Sequence, residues 1–357
     1  MKIYHVFNAE TYFLSLRIIE TTITYFTQGH CYLLIGENIY KEKYLKMFDE
    51  NHYSDFYYYS SWDDFKKNNI LEKNNCILLH GGRHAWMFYF YIHGFKNVNW
   101  ICWGSGVYIS HKLKSRLSFF YKYIVYRSLN SIVVLMSPEQ RYLQNVFGCK
   151  DVRWIPYLGN ENEAKAVIYP KENFLINKVD RNNIIVYLGN SAHSVQSYIE
   201  ILDVLYHFKE NIEIHCMIHY GTEGREISLK KLEEKGGKMY GNRFYMHYEL
   251  YSIKEYYNFM NHSDVYICGS QTQTGLGAAF ACFSLGKKLY LAGRNYEYLT
   301  SLGFVVSDYS CISKQTLDEF FKQSNQDKLN NYSLYLKVFN NQSRIKKWKD
   351  YYSEIIS

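Results

Sequence analysis

The residues with the clearest chemical potential lie in one loop of the second half of the chain, Gly269-Ser-Gln-Thr-Gln-Thr-Gly-Leu-Gly277. A predicted strand, Val265–Ile267, leads into this loop, and a predicted helix without charged residues, Leu276–Leu285, follows it. Free N–H groups at a helix start can hold an anion, and glycine lets a phosphate come close. A glycine-rich turn that only permits tight packing is the alternative, but glutamine and threonine add side-chain donors, which favours a phosphate site. The candidates are Gln271, Gln273, Thr274, Gly275 and Gly277.

Other polar segments of the second half also follow predicted strands, at the carboxyl edge where open parallel sheets bind ligands. Asn190 and Ser191 could donate to a diphosphate, whereas Ser194 could simply cap the next helix. Glu249 could accept hydrogen bonds from ribose hydroxyls or be an ordinary charge at a helix start. No GxGxxG dinucleotide fingerprint is present. The candidates in these segments are Gly189, Asn190, Ser191, Ser194, His219, Tyr220, Gly221 and Glu249.

In the first half, the segment His80-Gly-Gly-Arg-His84 follows a predicted buried strand. Histidine could act as a general base or bind phosphate, and Arg83 could pair with a phosphate. For either histidine alone, a hydrogen-bonded structural role is the simpler interpretation. Trp103 ends another predicted strand, Asn99–Trp103, and Tyr108 follows it; both are expected at the same cleft between the two halves of the chain as the His80–His84 segment. HxH, HExxH, GxSxG and Walker A motifs are absent, so no motif indicates a metal site.

Positive charge is concentrated in the first half of the chain. Ten Lys and Arg residues but one acidic residue, Glu139, lie between Glu72 and Asp151. Such a stretch attracts a polyanion, and without C₂H₂ spacing or an RNP-like strand we rank anionic lipid above nucleic acid. The predicted helix 112–129 combines an apolar stripe with basic and aromatic residues, which suits either a bilayer interface or packing on the domain body. The stripe is Leu113, Leu117, Phe120, Tyr121 and Ile124; the basic residues are Lys112, Lys114, Arg116 and Lys122.

The elements that must position these residues alternate between strand and helix throughout the 357 residues. This alternation predicts an α/β protein with two Rossmann-like domains, covering residues 1–165 and 183–335, that face each other across a cleft. A linker is predicted at residues 166–182 and a C-terminal helix at 336–357. An apolar fraction of 47% excludes a disordered chain. We find no spanning segment, no signal peptide and no CxxC pair, so we expect a cytosolic protein with reduced cysteines.

Taken together, these segments resemble glycosyltransferase family 56, the transferases of 4-acetamido-4,6-dideoxygalactose (Fuc4NAc) in enterobacterial common antigen synthesis. The resemblance spans about residues 76 to 303. It implies a GT-B fold, a dTDP-sugar donor bound by the second domain and an undecaprenyl-diphosphate-linked saccharide acceptor bound by the first, without an essential metal or cofactor. It is carried by His80-Gly81, Trp103-Gly104 with Tyr108, Leu188-Gly-Asn-Ser191, Glu249 with Tyr256 and Ser263-Asp264, and Gln273-Thr-Gly-Leu-Gly277.

One departure from the family pattern concerns the catalytic base. Gly106 stands where the family has an aspartate, which leaves His80, His84 and Glu10 as base candidates. Arg83, Trp103 and Tyr108 are then expected at the acceptor or membrane side. We expect a peripheral enzyme on the cytoplasmic face of the inner membrane that serves O-antigen or common antigen synthesis. A sugar-nucleotide 2-epimerase and a non-catalytic assembly partner are the alternatives.

Overall fold

The computed structural model describes residues 2–26, 29–45, 55–81, 83–104, 107–108, 115–158, 183–189, 191–218, 221–222, 224–249, 251–338 and 341–357, without the side chains of residues 13, 115, 116 and 253. The chain divides into two units. Unit 1 comprises Met1–Asn160 and Asn340–Ser357, and unit 2 comprises Glu161–Phe339. The predicted linker at 166–182 lies outside the described residues.

Within the described part of unit 1, seven strands form one parallel sheet in the order β3-β2-β1-β4-β5-β6-β7. The strands β2 and β4 are buried at every residue, as expected for a parallel sheet covered on both faces. The strand order reverses between β1 and β4, where Ile3 pairs with Cys76. The strands are β1 Ile3–Asn8, β2 His30–Ile35, β3 Phe56–Tyr59, β4 Cys76–His80, β5 Asn97–Cys102, β6 Ser131–Val134 and β7 Val152–Trp154.

Unit 2 repeats this arrangement with six parallel strands among its described residues, in the order β10-β9-β8-β11-β12-β13. The order reverses between β8 and β11, where Val265 pairs with Val186. Such a reversal opens a crevice at the carboxyl edge, because the connections on either side leave toward opposite faces of the sheet. The strands are β8 Ile184–Leu188, β9 Ile212–Met217, β10 Phe244–His247, β11 Val265–Cys268, β12 Lys288–Leu291 and β13 Ser307–Asp308.

The α-helices connect successive strands and cover the sheets. In unit 1 they are α1 Tyr12–Tyr25, α2 Asn38–Leu45, α3 Trp62–Asn68, α4 His84–Ile92, α5 Ser115–Arg127 and α6 Ser137–Phe147. In unit 2 they are α7 Val195–Leu205, α8 Glu226–Tyr240, α9 Ile253–His262, α10 Leu276–Ser284, α11 Gly293–Ser301, α12 Leu317–Phe321 and α13 Asn325–Val338. None of the described helices is both long and apolar enough to cross a bilayer.

The last helix, α14 (Asn341–Ile356), returns to unit 1 and covers one face of its sheet. Trp348 and Tyr351 are buried there against Ile3 and Leu78. The Trp348 indole donates to the Pro156 carbonyl at 3.1 Å. The end of the chain therefore completes the core of the unit that its beginning forms.

Trp348→Ala tests this role of α14. The substitution removes a buried indole, and we expect it to lower the free energy of unfolding of unit 1 by about 3–5 kcal/mol. Urea unfolding followed by circular dichroism measures the loss. Lys349→Ala, at the exposed neighbouring position, should stay within about 0.5 kcal/mol of wild type. Equal effects of the two variants would contradict this account of the unit 1 core.

Candidate functional site

The loops after β8 and β11 meet at the carboxyl edge of unit 2. The Gly189 N–H donates to the Ile267 carbonyl at 2.9 Å, which ties the two strand ends together. Gly189 has a φ of +75°, and a Cβ there would lie 2.3 Å from Cζ of Tyr198. Only glycine fits this position, so the residue type predicted at the site also has a structural reason.

The start of α10 presents unused backbone donors at this edge. Its N-cap, Gly275, has a φ of +71° and provides no side-chain cap. The first N–H bonded back to the cap is that of Ala279, which donates to the Gly275 carbonyl at 3.0 Å. The N–H groups of residues 276–278, in the first turn, therefore have no carbonyl acceptor within α10. Gly277 is exposed, and nothing lies within 4 Å of the position where its Cβ would be.

Ser191 is a second feature of this edge that suits a polar ligand. The residue is fully buried, and its Oγ has no hydrogen-bond partner among the described residues. Buried hydroxyls are normally satisfied, so an acceptor oxygen on a ligand would complete this site. Ser194 makes no cap hydrogen bond to α7, so the predicted capping alternative is not observed. Asn190 lies outside the described residues.

The loop that carries Gln271 and Thr274 is held by residues that the sequence interpretation missed. Asn295, in the first turn of α11, is buried and donates to the Thr274 carbonyl. A Cβ on Gly293 would lie 2.6 Å from the Gln271 backbone. Gly293-Arg-Asn295 follows β12 after a single residue, Ala292, and this position after a strand was the signal that could have revealed them. Gln271 is exposed and Gln273 half-buried.

The remaining unit 2 candidates lie farther from the reversal. Glu249 is exposed and follows β10, an edge strand of the described sheet that lies two strands from β8. A Cβ on Gly221 would lie 2.8 Å from Nε2 of His193, and the Gly221 carbonyl accepts from Arg225 at 2.9 Å. His193 and Arg225 are thus further polar residues near this edge. His219 and Tyr220 lie outside the described residues.

At the corresponding reversal in unit 1, Glu10 and Arg83 form an ion pair. Arg83 Nη2 lies 2.8 Å from Glu10 Oε2, with the two side chains 61% and 48% exposed. Asn8 Nδ2 donates to the same oxygen at 3.1 Å, and Asn8 Oδ1 accepts from the Glu10 N–H at 3.2 Å. The ends of β1 and β4 therefore present an oriented carboxylate to solvent.

His80 is poorly placed for the base role that we predicted. The side chain is 1% exposed, with Nε2 at 2.9 Å from His5 Nδ1 and Nδ1 at 3.2 Å from the Tyr157 hydroxyl. Burial lowers the pKa of His80 to about 3. A general base must reach the reacting hydroxyl and hold a proton near the working pH. His84 is half-buried, with Nε2 at 2.6 Å from the Tyr126 hydroxyl.

α5 does not bury the whole of the apolar stripe named in the sequence analysis. Leu117 and Phe120 of the predicted apolar stripe are 83% and 63% exposed, whereas Lys122 is 8% exposed. The Lys122 ammonium donates to the Tyr108 carbonyl at 3.2 Å, so this lysine is not available to a membrane. Tyr126 is buried instead, and its ring stacks on that of Trp100 with centroids 5.0 Å apart. Lys112, Lys114 and the Arg116 side chain lie outside the described residues.

Tyr108 and Trp103 also belong to the described part of unit 1. Tyr108 is half-buried and packs on the Tyr142 ring at 4.8 Å. Trp103 is half-buried, and its indole N–H donates to the Tyr157 hydroxyl at 2.5 Å. Among the described residues, no three His, Cys, Asp or Glu side chains are grouped so that they could hold a metal ion.

Solved structures of low sequence identity share this fold along nearly the whole chain. A glycosyltransferase from Rickettsia africae is 13% identical, with a TM-score of 0.68 over 100% of this chain and 98% of that one. An α,α-trehalose-phosphate synthase (UDP-forming) from Burkholderia xenovorans, in complex with glucose-6-phosphate, is 11% identical, with a TM-score of 0.67 over 100% of both chains. Anabaena HepE, in complex with UDP and glucose, is 12% identical, with a TM-score of 0.67 over 99% of this chain and 100% of that one.

These likenesses confirm the predicted GT-B fold, with one parallel α/β sheet in each unit. No protein-family model matches the sequence, and the search of curated proteins found no match either. Membership of glycosyltransferase family 56 is therefore not established.

The buried histidines of unit 1 predict a specific loss of stability in acid. Burial lowers the pKa of His30 to about 4, although Asp55 opposes this, and lowers that of His80 to about 3. An unfolded histidine titrates near 6.5, so between pH 6.5 and 4 the unfolded state binds more protons. Stability is complete above pH 6.5 and should fall below it by about 1.4 kcal/mol per pH unit for each histidine.

His30→Gln keeps a side chain that can hydrogen-bond but removes one titrating group. We expect the pH dependence of the free energy of unfolding between pH 6 and 5 to become shallower by about 1.4 kcal/mol per pH unit. Urea unfolding at each pH gives this slope. The exposed His207→Gln serves as the control and should leave the slope unchanged. A wild-type slope in His30→Gln would show that His30 is not held neutral by burial.

Proposed function

We propose that this protein is a glycosyltransferase that moves a sugar from a nucleotide-sugar donor to a saccharide acceptor. The observation that carries the proposal is the pair of features that follow the two neighbouring strands at the reversal of unit 2: the uncapped start of α10 after β11, and the buried Ser191 Oγ, without a partner among the described residues, after β8. Solved GT-B neighbours were crystallised with UDP and glucose or with UDP-2-fluoro glucose. They support a nucleoside diphosphate as the ligand of this edge.

The chemistry of the donor half follows from the charge of the leaving group. When the bond from the sugar to the diphosphate breaks, negative charge develops on the diphosphate. The N–H groups of residues 276–278 and the Ser191 hydroxyl would donate to its oxygens, and the dipole of α10 would add to the attraction. Donors fixed before the reaction stabilise that charge without reorganising, which lowers the barrier. We propose that this set of hydrogen-bond donors, which we call the donor cradle, serves in place of an essential metal.

Glu10 is the base candidate that the geometry favours. During transfer the acceptor hydroxyl forms a bond to the anomeric carbon, the bond to the diphosphate breaks, and the hydroxyl proton must leave. The exposed Glu10 carboxylate, oriented by Arg83 and Asn8, would accept this proton. Both nitrogens of His80 are hydrogen-bonded in the interior, so His80 would have a structural role next to the site.

The finer identity of the substrates rests on the sequence resemblance to glycosyltransferase family 56. We propose a dTDP-linked deoxyamino sugar, Fuc4NAc, as the donor and an undecaprenyl-diphosphate-linked saccharide as the acceptor. The product would enter O-antigen or common antigen synthesis at the cytoplasmic face of the inner membrane. Glu249 is proposed to bind the ribose.

An apolar surface on α4 and α5 supports contact with a membrane that carries such an acceptor. Leu117 and Phe120 of α5 are exposed, as are Phe88 and Ile92 of α4. The Phe88 ring packs on Tyr121 of α5 at 5.2 Å, which joins the two helices into one surface. Lys112, Lys114 and Arg116 lie just before Leu117 in the sequence. Apolar residues close to basic ones are typical of segments that dock on anionic lipid.

Gly277→Asp tests the nucleotide site without disturbing the fold. The position is open and an acidic residue suits a helix start, so the melting temperature should stay at or slightly above that of wild type. The added carboxylate would repel a diphosphate, and we expect binding of dTDP to weaken by at least about tenfold. Calorimetric titration with dTDP, UDP, GDP and CMP, with EDTA present, measures this.

Gly237→Asp makes the same change at an exposed, open position of α8 and should leave nucleotide binding intact. Preference for dTDP would support a deoxysugar donor. Preference for UDP would indicate a UDP-linked donor sugar and would favour the alternative of a sugar-nucleotide 2-epimerase. A wild-type protein that binds no nucleotide, or a Gly277→Asp variant that binds like wild type, would overturn the proposed site.

The membrane surface is tested by the double substitution Leu117→Ser with Phe120→Ser. We expect co-sedimentation with phosphatidylglycerol-rich vesicles to fall by at least about fivefold, because the two side chains supply much of the exposed apolar area. Ile227→Ser, at a 76% exposed position of unit 2, is the matched control. Wild-type sedimentation of the double variant would exclude this surface from membrane binding.

A further inference from the structure

A continuous chain of hydrogen bonds runs through the interior of unit 1, from β2 to the loop after β5. His30 Nδ1 lies 2.8 Å from His5 Nε2, and His5 Nδ1 lies 2.9 Å from His80 Nε2. His80 Nδ1 lies 3.2 Å from the Tyr157 hydroxyl, which accepts from the Trp103 indole N–H at 2.5 Å. His30 begins β2 and His80 ends β4, so the chain crosses the sheet from its amino edge to its carboxyl edge.

The three histidines of this chain are neutral at physiological pH. Desolvation by burial holds the pKa of His5 well below its usual value and lowers those of His30 and His80 as described above. The titratable groups facing the histidines are Tyr32, Asp55, Tyr157 and Tyr352. A neutral imidazole has one donor and one acceptor nitrogen, so each histidine can pass a hydrogen bond in one direction.

Trp103 sets that direction because an indole nitrogen can only donate. The Tyr157 oxygen accepts from Trp103, which leaves the Tyr157 hydroxyl hydrogen to be donated to His80 Nδ1. His80 must then carry its proton on Nε2 and donate to His5. The same logic places the protons of His5 and His30 on Nε2. The opposite polarity would leave the Tyr157 hydrogen without an acceptor among the described residues, a costly state for a buried group.

Tyr157 is itself fixed from several sides. Its ring stacks on Trp348 of α14 with centroids 5.9 Å apart and faces His80 at 6.5 Å. The Tyr157 carbonyl accepts from Arg344 at 2.8 Å. These contacts fix the position of the Tyr157 hydroxyl on the interior side of the carboxyl edge, where it accepts the hydrogen bond from Trp103.

The Trp103 indole covers the turn that leads from β4 to Arg83. Gly81 has a φ of +66°, and a Cβ there would lie 2.4 Å from Cε3 of Trp103, so the ring lies directly against the turn. This turn leads to the Glu10–Arg83 ion pair. A half-buried aromatic face at the turn that leads to the proposed base suits the C–H face of a pyranose ring, because the partly positive hydrogens meet the negative ring face.

We infer that Tyr157 is a positioning residue that fixes the Trp103 indole as a platform for the acceptor sugar, and that the three histidines anchor Tyr157 in turn. The inference rests on the proposed function and extends it to the acceptor side. Neither Tyr157 nor His5 nor His30 touches the acceptor in this arrangement. They act through the geometry of Trp103.

Tyr157→Phe removes the hydroxyl and nothing else. With a prenyl-diphosphate-linked disaccharide as acceptor and dTDP-Fuc4NAc as donor, we expect the acceptor KM to rise about fivefold to tenfold, the effect of losing one buried hydrogen bond. The kcat and the dTDP dissociation constant should stay within about twofold, because the donor cradle belongs to unit 2. In protein labelled with ¹⁵N-tryptophan, the Trp103 indole signal, assigned by its absence in Trp103→Phe, should shift and exchange faster with solvent.

Tyr351→Phe is the matched control. It removes another buried tyrosine hydroxyl of unit 1, which lies 2.8 Å from Ser131 Oγ and away from Trp103. We expect it to lower the melting temperature as Tyr157→Phe does but to leave the Trp103 signal and the acceptor KM unchanged. Equal effects of the two variants on KM would mean that Tyr157 has only a structural role.

Histidine tautomers give a second readout that needs no variant at Tyr157. In full-length protein labelled with ¹⁵N-histidine, His5, His30 and His80 should all carry their proton on Nε2. Trp103→Phe removes the donor that sets the direction, so His80 should then sample both tautomers. A wild-type His80 protonated on Nδ1, or a Tyr157→Phe variant with the wild-type acceptor KM, would overturn the inference. A wild-type protein without any transfer activity would instead overturn the proposed function, and the acceptor role of Trp103 with it.

Discussion

The parallel pairing of the strands is the constraint on which the rest of this protein depends. In each sheet all carboxyl ends lie at one edge, and the strand order reverses once, between β1 and β4 in unit 1 and between β8 and β11 in unit 2. Short polar segments that are distant in sequence are thereby brought together. Glu10 meets Arg83 in unit 1, and Gly189 meets Ile267 in unit 2. The chemistry of both units follows from this pairing.

The two sites where the strand order reverses carry different functional groups. Unit 2 presents backbone donors at the start of α10 and a buried Ser191 hydroxyl, a set that suits an anion. Unit 1 presents an exposed carboxylate and a half-buried indole after strands of the same sheet, a set that suits a proton transfer and a sugar ring. A donor that leaves as a diphosphate and an acceptor that loses a proton need these two kinds of site, which is why we propose glycosyl transfer.

Polar groups in the interior of unit 1 are matched to one another. Three histidines, a tyrosine and a tryptophan form one chain in which each hydrogen shared between neighbouring members has an acceptor. Such a chain is stable only while its histidines are neutral, because an imidazolium in this interior would lack both water and a counter-ion. α14, from the far end of the sequence, covers the same face with Trp348 and Tyr352. The order of the carboxyl edge thus depends on residues at both ends of the chain.

The sequence by itself determined the α/β class, the two Rossmann-like domains and the glycine-rich loop before α10, because strand–helix alternation and glycine positions are local properties of the chain. The GT-B fold was what the resemblance to glycosyltransferase family 56 implied. Tertiary packing decided the rest. The spacing of residues in α5 was compatible with burial of either of two faces. In the structure Tyr126 and Lys122 are buried, whereas Leu117 and Phe120 are exposed. His80 was predicted from its position after a strand, but only the burial of its ring and its bonds to His5 and Tyr157 removed it as the leading base. Tyr157 carries no local signal of its role, since its partners are far away in sequence and come close only in the folded protein. Asn295 had a local signal in its position after β12, but its bond to the Thr274 carbonyl exists only in the folded protein.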